Sequence, residues 1–240
     1  MRATRFLLAA LILGSVSVLL GCESDRGMNA PPRVRESEQQ QLVEKARLAV
    51  EALRTDKIVG SPVNSSLSTA RGVLIFPNLL RAGFGVGAGG GTGVLLGHDT
   101  RGWSDPAFYF SGEGSFGLQI GVEAGQVMFV IRNEGALNKI VNGNVNLGVD
   151  VSLAVGPVGG GAAGATTTNL GADLLAFSVQ EGIFGGATIK GGVINPLIGW
   201  NEAYYGPGAT PRTIVIERKF HNLRAQGLKR ALTEAAVSAR

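Results

Sequence analysis

Apolar and polar residues alternate most clearly over two stretches of the chain. Over residues 108–124 the even positions read Phe, Phe, Gly, Gly, Phe, Leu, Ile, Val, Ala, while the odd ones are mostly Ser, Glu, Gln and Gly. Over residues 144–155, Val145, Leu147, Val149, Val151, Leu153 and Val155 alternate with Asn144, Asn146, Gly148, Asp150 and Ser152. A period of two predicts half-buried strands in an antiparallel sheet. The first run exceeds an ordinary strand and is expected to bend at Gly112 and Gly114. Further strands are predicted at 73–76 (ended by Pro77), 126–131, 174–179, 183–194 and 212–217. The helical period takes over at 36–56, where Leu42, Ala46, Ala49, Val50 and Leu53 form one stripe. That stripe suits packing on the domain, or lying on a membrane. Shorter helices are predicted at 61–70, opened by Ser61-Pro62, and at 134–141, closed by Asn142-Gly143. A last helix is predicted over 222–237, with Leu223, Leu228 and Leu232 against Arg224, Lys229 and Arg230.

Between Gly83 and Gly93, seven of eleven residues are glycine, yet Phe84, Val86 and Ala88 keep the period of a strand. Glycine in a strand marks a bulge, a tight bend, or close approach by another backbone or a ligand. A second small-residue stretch over 156–168 is too short to span a bilayer as a helix and is expected to form a turn or hairpin.

The first 21 residues have the form of a signal peptide: Arg2 and Arg5, then an apolar run from Phe6 to Leu20. Leu19-Leu20-Gly21-Cys22 resembles the lipobox of bacterial lipoprotein precursors, which makes Cys22 the expected acylation site and mature N-terminus. Glu23 follows, where Asp would favour inner-membrane retention in Gram-negative hosts. The expected location is therefore the periplasmic face of the outer membrane. Cys22 is the only cysteine, so disulfides and cysteine-based metal sites are excluded. Residues 22–35, with Pro31-Pro32, read as a tether; 36–217 as the folded domain; 218–240 as a basic C-terminal helix. The formal charge of +4 is unevenly spread. Segment 61–211 has six basic and nine acidic residues, whereas 212–240 has seven basic and two acidic, so attraction to anionic surfaces falls on the tail.

Familiar catalytic patterns do not emerge. Gly85-x-Gly87-x-x-Gly90 has the spacing of a dinucleotide fingerprint, but Thr92 to Gly97 is not the helix that would present its N-terminus to a pyrophosphate. There is no P-loop lysine and no nucleophile elbow. His98 and His221 stand far apart without metal-ligand spacing. Glu113, Glu123 and Asp150 read as solvated charges on a sheet face. Nucleic acid is not an expected partner, because the domain is acidic and its aromatics are not interleaved with Lys/Arg.

Several segments, in order, resemble the SYLF domain family. They are Ala70-Arg71-Gly72-Val73-Leu74-Ile75-Phe76-Pro77, Arg81-Ala82-Gly83-Phe84-Gly85, Gly102-Trp103-Ser104-Asp105-Pro106-Ala107-Phe108-Tyr109 and Gly114-Ser115-Phe116-Gly117. Later come Leu147-Gly148-Val149-Asp150, Gly182-Ile183-Phe184-Gly185-Gly186 and Asn201 to Gly206 with Tyr204-Tyr205. The resemblance implies phospholipid binding without catalysis and without a cofactor; some eukaryotic relatives also bind actin. Before Gly182 the family often carries serines and a Lys or Arg, whereas here Ser178-Val179-Gln180-Glu181 stands, and Lys190 occupies a family acidic position. The candidate lipid-contacting residues are then Arg71, Arg81 and Lys190. Arginine beside a glycine-rich backbone suits phosphate, though Arg71 and Arg81 equally suit a helix end and a solvated turn.

The expected fold is α+β: one antiparallel, β-rich domain, sandwich- or barrel-like, with flanking helices after a lipoprotein signal peptide. The expected function is that of a membrane-anchored lipoprotein binding phospholipid or a membrane surface. The alternative is a non-catalytic envelope scaffold for a protein partner whose identity the sequence leaves open.

Overall fold

The computed structural model describes residues 37–158, 171–179 and 192–238, with backbone alone at 81–87, 113–123 and 157–158. Helix α1 (Glu38–Thr55) starts where the Ser37 hydroxyl accepts from the Gln40 N–H at 3.2 Å, with Glu38 favourably placed in its first turn. Its stripe of Leu42, Ala46, Ala49, Val50 and Leu53 is buried. Helix α2 (Gly60–Ser68) buries Val63 and Leu67 beside it.

Two long strands dominate the sheet. Strand β1 (Gly72–Asp99) pairs antiparallel with β3 (Ala107–Ile131) from Gly72↔Ile131 to Leu95↔Ala107. Pro77 does not end β1. The register slips between Phe76 and Leu79, so the residue lacking an N–H sits in an irregularity and the ladder resumes. The bend expected at Gly112 and Gly114 does not break the register, which runs evenly from Gly90↔Gly112 to Ala88↔Gly114; the second slip lies further on, between Phe116 and Ile120 opposite Phe84 and Val86, inside one continuous strand. The predicted strand over 126–131 is its far end. Beyond the β3 pairing, β1 runs on to Asp99 and pairs with β2 (Gly102–Trp103).

The start and end of β1 run back along each other. The His98 N–H donates to the Arg71 carbonyl at 2.8 Å. A Cβ placed on Gly93 would lie 2.5 Å from the Ile75 oxygen and 2.5 Å from Phe76 Cδ1. The described end of the glycine stretch thus serves close backbone approach, and it is strand throughout rather than a nucleotide-binding turn.

After β3, α3 (Glu134–Asn142) is capped by the Asn133 side chain on the Ala136 N–H and closed by Gly143 at φ 84°. The expected strand over 144–155 is a correction. Only β4 (Val145–Asn146) and β5 (Leu153–Val158) are strands; Gly148 at φ 85° and an Asp150 carboxylate accepting from the Asn146 N–H at 2.7 Å fold the middle into a loop. Leu147 and Val151 still reach the core across it, while Val149 is 81% exposed. Strands β6 (Leu174–Ser178) and β7 (Val193–Pro196) complete a seven-stranded sheet, curled into a half-barrel, with the path β2-β1-β3-β6-β5 and with β7 joining β3 to β4. The β5–β6 pair is parallel, so the sheet is mixed. Residues 159–170 and 180–191, on which the predicted 156–168 turn and most of the 183–194 strand fall, lie outside the described residues.

The strands are buried on both faces rather than one. Val73, Ile75, Val94, Leu96, Phe108, Met128 and Val130 pack toward α1, α2 and α5 (Gln226–Val237). Leu74, Phe76, Leu95, Tyr109, Phe129 and Ile131 pack toward α3 and a π-helical turn at Arg212–Ile216. Tyr109, expected on the polar face, is fully buried and donates its hydroxyl proton to the Ile140 carbonyl at 3.0 Å. The π-helical turn replaces the strand predicted at 212–217, and helix α4 (Ile198–Tyr205) was not foreseen.

Candidate functional site

At one end of the sheet, where the two ends of β1 meet, lies a cleft of about 190 Å³ bordered by Arg71, His98, Asp99, Arg101, Glu134, Asn138 and Arg218. Three chain segments distant in sequence supply its arginines. Arg71 precedes β1, Arg101 sits in the β1–β2 turn, and Arg218 follows the π-helical turn at a left-handed φ of 58°. Asp99 holds two of them. Its Oδ2 accepts from Arg101 Nη2 at 2.6 Å, and its Oδ1 lies 3.2 Å from Arg218 Nη2.

Arg218 is the more enclosed of the pair, its side chain 11% exposed, and it donates to the carbonyls of Gly102 at 2.8 Å and Val215 at 3.2 Å. Arg101 also donates to the Ile216 carbonyl at 3.2 Å. The hydrogen bond from Arg101 holds the Asp99 carboxyl below the usual carboxylate range, and the same bond raises Arg101. Burial lowers Arg218, opposed by the attraction of Asp99. Arg71 differs from both. Its nearest acid, Glu134, stands 4.0 Å away, both side chains are exposed, and that gap is too long for a hydrogen bond. His98 is occupied: its ring stacks on Trp103 with centroids 4.4 Å apart, and Nδ1 lies 3.1 Å from the Ala70 carbonyl.

The segment from Trp103 to Tyr109 works as an internal latch. Asp105, 2% exposed, accepts from the Asn222 N–H at 3.0 Å and lies 3.2 Å from both Lys229 Nζ and His221 Nδ1. Buried Asn201 accepts from the Phe108 N–H at 2.8 Å, and the Tyr205 hydroxyl donates to the Pro106 carbonyl at 2.7 Å. Tyr204 donates to Gln40 of α1 at 2.7 Å, and burial pushes its hydroxyl up to about 12. These groups are satisfied by one another, so they tie α1, α4 and α5 to the sheet.

Of the candidate residues, the structure brings Arg71 together with Arg101 and Arg218, which the sequence did not single out. It does not bring Arg71 to Arg81. The Arg81 backbone lies along β1 opposite Glu123, ten residues on, or about 30 Å of extended strand; its side chain is outside the described residues, as are Cys22 and Lys190. Among the described residues, no group of three His, Cys, Asp or Glu is placed to hold a metal, and no helix is long and apolar enough to cross a membrane.

The basic tail is only partly free. Lys229 and Arg218 are drawn inward, and Arg212 donates to the Asn142 side chain at 3.1 Å. Lys219, Arg224 and Arg230 are exposed. Leu223, assigned by periodicity to the apolar face of the C-terminal helix, instead opens a short 3-10 turn (Leu223–Ala225) in the connection before α5 and is 84% exposed, whereas Leu228 and Leu232 are buried.

Comparison with known proteins gives a consistent result. The family model Ysc84, described as "Las17-binding protein actin regulator", matches residues 112–235. Protein YSC84 of Saccharomyces cerevisiae is 30% identical over 201 residues, covering 80% of this chain and 42% of the relative. LAS seventeen-binding protein 3 from the same yeast is 28% identical over 201 residues, covering 80% of this chain and 43% of its own length. SH3 domain-containing YSC84-like protein 1 of Homo sapiens is 29% identical over 153 residues, 62% of this chain and 43% of the relative. The chain thus spans less than half the length of these relatives.

Proposed function

Because the chain belongs to the SYLF (Ysc84) family, we propose that it is a lipid-anchored, non-catalytic envelope protein whose domain binds a phospholipid surface. In this reading Cys22 carries the acyl anchor, the tether over 22–35 leads to the domain, and the protein lies at the periplasmic face of the outer membrane. Arg71, Arg81 and Lys190 are its candidate headgroup contacts.

The observation that carries the reading is the loop between the π-helical turn and α5. Leu223 is 84% exposed, next in sequence to exposed Arg224 and four residues after exposed Lys219, which pairs with Glu217 at 2.7 Å. The loop is held rather than slack: Asp105 fixes the Asn222 N–H, the Asn222 side chain accepts from the Arg224 N–H at 3.0 Å, and Ala225 is buried. An exposed apolar side chain on a held turn beside the Arg224 cation fits a surface that is anionic outside and apolar beneath. Burying one leucine is worth about 1.5–3 kcal/mol, and each cation at an anionic leaflet about 1 kcal/mol. Such contact is weak alone and becomes useful beside an acyl anchor, the two-signal arrangement that stable attachment requires.

The test is co-sedimentation of the full chain carrying C22A, which lacks the acylation site, with phosphatidylglycerol and phosphatidylcholine vesicles. Weak binding to the anionic vesicles at low salt, lost at high salt, is expected. No binding at low salt would overturn the reading. A second reading, a scaffold for a protein partner, is favoured by the relatives' names, which speak of Las17 binding and actin regulation. Crosslinking that recovers one stoichiometric partner in the absence of vesicle binding would support it.

A further inference from the structure

We propose that the cleft between Arg71, Arg101 and Arg218 is a binding site for a phosphomonoester-type dianion. Where the phosphate belongs to a lipid, the inference rests on the membrane reading above; where it belongs to a solute, it stands alone.

Charge supplies the first argument. The cleft is lined by three guanidiniums against the two carboxylates of Asp99 and Glu134, a net +1 before any ligand enters. Donor availability supplies the second. Arg101 engages its neighbours through Nε and Nη2, and Arg218 does the same, so the Nη1 groups of both have no hydrogen-bond partner among the described residues. Arg71 makes no side-chain hydrogen bond there at all, only the long approach to Glu134. Guanidinium N–H groups from three directions match an oxyanion whose oxygens also point several ways.

Preorganisation is the third argument. Asp99, itself held ionised, fixes the planes of Arg101 and Arg218, and Arg218 is further pinned by two backbone carbonyls. Little side-chain freedom remains to be lost on binding, except at Arg71, whose exposed side chain lines the cleft without a hydrogen-bond partner among the described residues. Size sets the class. About 190 Å³, lined by Leu137, Val215 and Ile216 beside the guanidiniums, admits a phosphate with a small substituent and is too small for a whole acyl chain. A monoester offers more charge and one more free oxygen than a diester, which favours it where three cations converge.

The test uses the full chain carrying C22A, with inorganic phosphate as the soluble probe followed by amide NMR. Saturable shifts at Arg71, His98 and Asn138 are expected. R71A should weaken phosphate binding about tenfold or more, the loss of one charge-assisted contact, and R71K should restore part of it. Arg71 is exposed, so R71A is expected to fold, and an unchanged melting temperature verifies this. Shifts that lie elsewhere, or that R71A leaves intact, overturn the proposal. Vesicles separate the two sources. Phosphatidic acid binding that exceeds phosphatidylglycerol binding and falls in R71A assigns the site to a lipid monoester. Phosphate binding without vesicle binding supports the cleft as a solute site and removes the membrane reading. Vesicle binding unaffected by R71A, with no phosphate shifts, removes the cleft and leaves the membrane reading standing.

Discussion

At the residue scale, the buried carboxylate of Asp105 is the most consequential side chain in the fold. It joins the β2–β3 connection to Asn222 and Lys229, more than a hundred residues later. D105A leaves a lysine and a backbone N–H without their partner and is expected to cost about 3 kcal/mol in chemical denaturation, with D105N losing less because an acceptor remains. Two glycines give an opposed pair. G93A drives a Cβ against the Ile75 carbonyl and should destabilise by about 2 kcal/mol, whereas the Cβ of G199A meets nothing within 4 Å and should stabilise α4 by about 0.5–1 kcal/mol.

Acid acts through three other carboxylates. Asp99 is lowered chiefly by Arg101, Asp150 by the Asn146 N–H, and Asp173 by the Ser152 N–H and then the Asn133 amide. Because each lies below its unfolded value, its contribution is complete above the ordinary aspartate value near 4 and is lost as pH falls through the lowered one. Urea melts at pH 7 and pH 3.5 should show this loss, and D173N should lose less between the two than the unaltered protein. None of these partnerships was legible beforehand. Asp99–Arg218 and Asp173–Ser152 join residues far apart in the chain and leave no local spacing, while Asp99–Arg101 and Asn146–Asp150 depend on local turns, the second hidden by the strand reading of 144–155, so Arg71 was found through a motif while Arg101 and Arg218 were not.

At the scale of elements, helices were read more faithfully than strands. The α1 stripe and the Asn142-Gly143 stop are local signals, and each is where its chemistry places it. The alternation over 144–155 misled because Leu147 and Val151 are both core residues on either side of a loop, so the period survives where the strand does not. The β-branched run Thr213-Ile214-Val215-Ile216 misled for a related reason. Pro211 and the Thr210–Thr213 hydroxyl contacts start a helical turn, and burial of Ile214 and Val215 decides the outcome over propensity. Replacing Thr213 with Val removes the hydroxyl that accepts from the Thr210 N–H at 2.8 Å. It should cost about 1 kcal/mol despite raising strand propensity, and circular dichroism with thermal melting checks it.

At the scale of the whole molecule, the α+β class and the helical flanks were legible, while the burial of both sheet faces was not. Of the bulge, bend or close approach that glycine in β1 offered, Gly93 shows close approach: its open side is the space that the strand's own beginning occupies. Gly91 and Gly93 serve the fold, and the proposed chemistry is assigned to the arginine cleft and to the loop bearing Leu223. The account stands on the domain itself meeting lipid through that loop. The direct measurement is a spin label at position 223 (L223C in the C22A background), with a second label at position 149 (V149C) as reference, in the presence of phosphatidylglycerol vesicles at low salt. The account predicts that the label at 223 becomes accessible to oxygen and shielded from a water-soluble nickel chelate, while the label at 149 stays in water. A label at 223 that remains in water on vesicle-bound protein, or protein that stays off the vesicles, contradicts it.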